Sequence, residues 1–132
     1  MNDISPEYFQ FQVRTEEESY NLDAVVMRVG SDWLVSIQGG EKPHIGAVAA
    51  AQSRPSLKGA EAVSETASVL CFPGHKEDVI TKEVSEKLAS LLEAKVVVTA
   101  GIHWDDISPE GIQRVIENSR ILISKIADKI RS

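Results

Sequence analysis

The sequence predicts an α+β fold: a mainly antiparallel sheet of about six strands, in the order βββββ-α-β-α, with two helices packed on one face. Three observations lead there. The chain holds 26 Val and Ile against 8 Leu, a bias toward β-branched residues that suits a pleated sheet. Up to about residue 72, apolar residues alternate with polar ones, the period of a half-buried strand. Beyond Lys76 they recur every three to four residues, the period of an amphipathic helix, with one short apolar run around residue 97.

Phe9, Phe11 and Val13 alternate with polar neighbours and predict the first strand; Leu22 to Val29, closed by Gly30-Ser31-Asp32, predicts the second. Trp33, Val35 and Ile37 predict a third with Trp33 toward the core, and Gly39-Gly40 ends it. A fourth strand is expected from Gly46 to Gln52, a loop over 53–59, and a fifth strand from Val63 to Phe72, stopped by Pro73-Gly74. Ile80, Val84, Leu88 and Leu91/Leu92, separated by Lys82, Glu83, Glu86 and Lys87, predict a helix of about five turns. Lys95 to Thr99 is short and apolar, so it reads as a buried strand. Ser108 as N-cap and Pro109 at the first helical position open the last helix, whose stripe is Ile112, Val115/Ile116, Leu122/Ile123, Ile126 and Ile130.

A chain of 132 residues fits a single domain over 1–132, with the first eight residues expected to be loose. The lone Cys71 excludes an internal disulfide, and no Cys-x-x-Cys pair exists for a zinc ribbon; Cys71 itself is expected to be a small buried residue. The start MNDISPEYFQ has neither a basic cluster nor an apolar run, and no stretch is long enough to span a bilayer, so a cytoplasmic setting is expected. A net charge of -6 argues against nucleic acid or an anionic membrane as partner, since both need a basic face. The excess is concentrated early: residues 1–50 hold 8 acids and 3 bases, whereas 101–132 hold 5 of each.

All three histidines lie close to glycines, in Pro43-His44-Ile45-Gly46, Pro73-Gly74-His75-Lys76 and Gly101-Ile102-His103-Trp104. Glycine collects where backbone bends sharply or approaches another group closely. If strands three to five form a simple meander and strands five and six a βαβ unit, the three segments meet at one sheet edge. His44, His75 and His103, with Asp105, Asp106 and Glu77 nearby, then supply a candidate set for a divalent metal ion. Gly74-His75-Lys76 opens a helix, so free N–H groups and the Lys76 ammonium favour an anion there. The Gly39-Gly40-Glu41-Lys42 turn offers a second backbone nest and a cation. Trp104 can wall a planar ligand or pack under the last helix. No serine or cysteine sits in a nucleophile motif, and no catalytic residue is assigned.

The run Gly39 to Gly46, the segment Phe72 to Asp78 and the run Val96 to His103 resemble the three signature stretches of the LpdD family, in the same order, within a likeness over roughly residues 30–125. Members are small bacterial proteins often encoded beside UbiD-type decarboxylases that act on hydroxybenzoic acids such as gallate or vanillate. The resemblance implies a non-catalytic protein that binds prenylated flavin mononucleotide, the decarboxylase cofactor, and protects or delivers it. Its partners would be that decarboxylase and the flavin prenyltransferase that makes the cofactor. Carried over, the motifs place cofactor binding on Gly39, Gly40, Lys42, Pro43, His44, Gly46, Gly74, His75, Lys76, Gly101, Ile102, His103 and Trp104. A structural subunit of the decarboxylase and a small metal-dependent hydrolase using Glu77 or Asp105 as base are the competing expectations. A homodimer is expected to cover the open face or edge of such a sheet.

Overall fold

A computed structural model describes residues 9–55, 62–73 and 77–132. The expected loose segment 1–8 and the site candidates Gly74, His75 and Lys76 lie outside the described residues. The chain runs β1 (Gln10–Arg14), β2 (Leu22–Val29), β3 (Asp32–Gly40), β4 (Ala47–Pro55), β5 (Ala62–Cys71), α1 (Asp78–Leu92), β6 (Lys95–His103) and α2 (Pro109–Arg131). This is the predicted α+β order, and both helices pack on one face of a six-stranded sheet.

Alternation decides which side chains meet those helices. Leu22, Ala24 and Val26 of β2, Val35 and Ile37 of β3, and Val96, Val98 and Ala100 of β6 are buried against Val84 and Leu88 of α1 and Leu122 and Ile126 of α2. Trp33 is buried in the same layer, with the Arg28 guanidinium 5.8 Å above its ring. Gly30, at φ 60, turns β2 into β3, a conformation that glycine adopts without strain. Ser108 caps α2 as the sequence predicts, its hydroxyl accepting from the Gly111 N–H at 3.0 Å. Helix α1 is shorter than expected, 15 residues from Asp78, and ends where Glu93 turns left-handed.

The strand order is β1-β2-β3-β6-β4-β5, which corrects the expected meander. Strand β6 inserts between β3, to which it is parallel, and β4, to which it is antiparallel. Its run of valines has buried residues on one face and half-buried ones on the other, and such a strand gains most at the centre of a sheet. It also extends to His103, four residues past the expected end. The rim survives this change, because β3 and β4 still run in opposite directions on either side of β6. Gly40 is level with His103, and Ala47 with both Ala100 and Cys71. Cys71 is exposed on the outer strand, not buried as expected, because nothing described lies beyond β5 to cover it.

Candidate functional site

The β3–β4 connection and the end of β6 are welded together at this rim. The Glu41 N–H donates to the His103 carbonyl and the Gly46 N–H to the Ala100 carbonyl, each at 2.8 Å. The Gln38 side chain clamps His44 at both ends, donating to its carbonyl and accepting from its N–H at 3.1 Å. Such close backbone approach explains the glycines. A Cβ on Gly101 would overlap the His44 carbonyl, and one on Gly40, itself at φ 88, would overlap that of His103. A Cβ on Gly46 would collide with the carboxylate of Glu77.

Glu77 is the centre of the arrangement, 6% exposed at the start of α1. Its Oε2 accepts from the Ile102 N–H at 3.0 Å and lies 2.7 Å from Nε2 of His44. The other ring nitrogen of His44, Nδ1, donates to the Lys42 carbonyl at 2.6 Å. Either His44 carries both ring protons or Glu77 contributes one; in both cases no ring lone pair is left for a metal ion. His103 is half-exposed and its Nε2 meets Oδ1 of Asp105 at 2.8 Å, with the Lys42 ammonium 4.0 Å from the same oxygen. The hydrogen bond from His103, then one involving Glu41 and the charge of Lys42, hold the Asp105 carboxyl below its usual range. Among the described residues no three His, Cys, Asp or Glu side chains converge on a metal-ligating point. The expected triad of His44, His75 and His103 is therefore not assembled within them, and its third member lies outside.

Behind the rim an open cavity of about 380 Å³ lies between the end of β6 and the first turns of both helices. Glu77 and His103 are its polar members; Ile80, Ile102, Trp104, Ile107, Ile112 and Val115 supply apolar walls. Trp104 lines the cavity and packs edge-on against Tyr20 at a centroid distance of 5.0 Å. A larger groove of about 880 Å³ between α1 and β5 is lined partly by Lys82 and Glu86, which are already paired with each other, and no histidine is among the described residues that line it.

The structure thus brings Gly39, Gly40, Lys42, His44, Gly46, Gly101, Ile102, His103 and Trp104 to one rim, with Pro43 exposed in the turn leading to His44. Sequence reasoning missed Glu77 as the buried partner of His44, because no spacing rule joins residues 33 apart. It also missed the isoleucine walls. Ile112 was legible only as part of the α2 stripe, yet it is 50% exposed at the cavity lip.

The family model described as the prenylated flavin chaperone LpdD-like domain matches residues 16–131. Protein LpdD of Lactiplantibacillus plantarum is 30% identical over 96 residues, a match that covers 71% of this chain and 65% of that protein's length. A chain in the crystal structure of a chaperone complex for yeast 20S proteasome assembly aligns with a TM-score of 0.46 and 11% identity, over 88% of this chain and 97% of that one. With nearly its whole length matched, the chain belongs to the LpdD-like family of prenylated flavin chaperones.

Proposed function

We propose that this protein binds prenylated flavin mononucleotide, made by a flavin prenyltransferase, and stores or delivers it to a UbiD-type decarboxylase without itself catalysing a reaction. The observation that carries this reading is the cavity beside the glycine-bearing rim. Its volume of about 380 Å³ falls in the roughly 300–1,000 Å³ range of small-molecule sites, and its walls are mostly apolar with a few polar groups at one side.

A flavin presents a planar apolar ring, polar ring edges and a phosphate, and each has a counterpart here. Trp104, Ile102 and Ile80 suit the ring and its added prenyl carbons. His103 faces the cavity where a polar ring edge would lie. Lys42 is the described cation at the rim, and Lys76 with the adjoining N–H groups of Gly74 and His75 is the sequence candidate for the phosphate. His44 is assigned to the Glu77 pair and so acts by holding the rim together.

The test is co-expression with a flavin prenyltransferase and purification without oxygen. The wild-type protein should be coloured, with a flavin absorbance spectrum and no stoichiometric metal. Ile112→Asp places a charge on a half-exposed side chain at the cavity lip, and should purify folded and colourless. A colourless wild-type protein would overturn the reading, and its retention on a large decarboxylase would favour a structural subunit instead.

A further inference from the structure

The connection between β1 and β2 is cross-tied by side chains. Asn21 Oδ1 accepts from the Thr15 hydroxyl at 2.9 Å and from the Glu17 N–H at 2.7 Å, and the Asn21 amide donates to the Glu17 carbonyl at 2.9 Å. The buried Thr15 hydroxyl accepts in turn from the Leu22 N–H at 2.9 Å. This closed network holds Tyr20 at φ 58, a left-handed conformation that a bulky side chain adopts only where its surroundings impose it. Glu93, at φ 49, has a local reason, since it ends α1; Tyr20 ends no helix. Asn118 reaches across from α2 to hold the Ser19 and Tyr20 carbonyls.

The Tyr20 ring is spent on the back of the cavity wall. It meets the Trp104 indole at a centroid distance of 5.0 Å and an interplanar angle of 76°. Its phenol end fills the space that Gly111 leaves in the first turn of α2, where a Cβ would lie 2.8 Å from Oη of Tyr20 and 2.7 Å from Cγ1 of Ile107. Trp104 and Ile107 both line the cavity, whereas Tyr20 is not among the described residues that do. The indole has a second support. A Cβ on Gly39 would lie 3.2 Å from its Cη2 and one on Gly40 3.1 Å from its Cδ2, atoms at opposite corners of the six-membered ring, so the indole rests on bare backbone.

We infer that Tyr20 is a positioning residue of the cavity: from behind, it fixes the Trp104 indole and the Ile107 side chain in the places where the planar ring of the ligand meets them. This rests on the flavin reading above and adds to it a residue that itself touches no ligand. Without its aromatic neighbour the indole gains rotational freedom, and binding must then order it. A wall set in advance avoids that entropic cost, which is how rigid packing behind a site raises affinity. The strained φ of Tyr20 fits the same role, because the loop and Asn118 hold the ring where relaxed backbone would not.

Prenylated FMN, made by a flavin prenyltransferase and titrated without oxygen, tests this. Trp33→Phe leaves Trp104 as the one tryptophan of the chain, so that its fluorescence anisotropy decay reports the motion of the indole. In that background Tyr20→Leu should keep the circular dichroism spectrum, speed the local rotation of Trp104 and weaken prenylated FMN binding about fivefold, the scale of one aromatic pair. Tyr20→Phe, which keeps the ring, should match the Trp33→Phe reference in both readouts. Where Tyr20→Leu fails to fold, Gly111→Ala, which crowds the phenol end while raising helix propensity, should weaken binding in the same direction. Unchanged affinity in the folded Tyr20→Leu or Gly111→Ala variant overturns the inference and leaves the flavin reading standing, as does a Tyr20→Phe variant as weak as Tyr20→Leu. A wild type that binds no prenylated FMN overturns the flavin reading, and the inference with it.

Discussion

Nε2 of His44 lies 2.7 Å from Oε2 of Glu77, joining the β3–β4 turn to the start of α1 across 33 residues of chain. The same oxygen accepts the Ile102 N–H from β6, so a single carboxylate ties together three segments of the rim. Gly46 leaves room for it, and Ile102 and Ile80 flank it on the cavity side.

Removing that carboxylate should therefore destabilise the whole rim. Glu77→Ala leaves the Ile102 N–H and the His44 ring without their acceptor, at an expected cost of about 2–3 kcal/mol. Urea denaturation of Glu77→Ala, His44→Ala and the double variant should give a double loss smaller than the sum of the singles, since both remove the same contact. Additive losses would mean that the two side chains do not act as a pair.

Gly46→Ala should be destabilising by about 1–3 kcal/mol, because the added methyl meets a locked carboxylate instead of a movable side chain. The loss should shrink when Glu77→Ala is introduced into the same chain. Equal losses in both backgrounds would place the strain elsewhere.

Asn118 secures the loop that carries Tyr20. Its side-chain amide, 3% exposed on α2, donates to the carbonyls of Ser19 at 2.9 Å and Tyr20 at 2.7 Å, and Tyr20 itself stands at φ 58. Asn118→Ala strips both carbonyls of their donor and should lower stability by about 2 kcal/mol. Amide hydrogen exchange should rise over residues 15–21, and Trp104, which packs on Tyr20, should change its fluorescence. A variant as stable as wild type would remove Asn118 from this role.

The helix-to-helix contact between Glu83 and Arg120 should give a small pH-dependent contribution. The guanidinium lies 2.7 Å from the carboxylate and holds the Glu83 pKa below its ordinary value of 4.5. A lowered folded-state pKa means that the stabilisation is full above the unfolded value and is lost as pH falls through the folded one. Glu83→Gln should thus cost on the order of 0.5 kcal/mol at neutral pH, the scale of a surface ion pair, and nothing once pH falls well below 4.5. A mutational effect that grows toward low pH would contradict the sign.

Much of this molecule could be read along the chain. Ser108 and Pro109 marked the start of α2, alternation in β2 and β3 marked their inward faces, and the glycines at 39, 40, 46 and 101 marked the places where a backbone is closely approached, by another backbone at Gly40 and Gly101 and by side chains at Gly39 and Gly46. These are local signals, in which propensity and period report what a residue needs from its immediate surroundings.

Tertiary structure decided which elements became neighbours. A period of two shows that Val96 and Val98 share a face, but not that β6 sits between β3 and β4, because that order depends on which placement buries the most apolar surface over the entire sheet. Glu77 illustrates the consequence. In the sequence it is one acid among many after Gly74-His75-Lys76, and only the folding of α1 over the sheet sets it against His44 and Ile102. The chain by itself determined the elements, their inward faces and the residues bound for the rim. Packing at long range determined the partners of those residues and the cavity beside them, since both are made of contacts between segments that no local period connects.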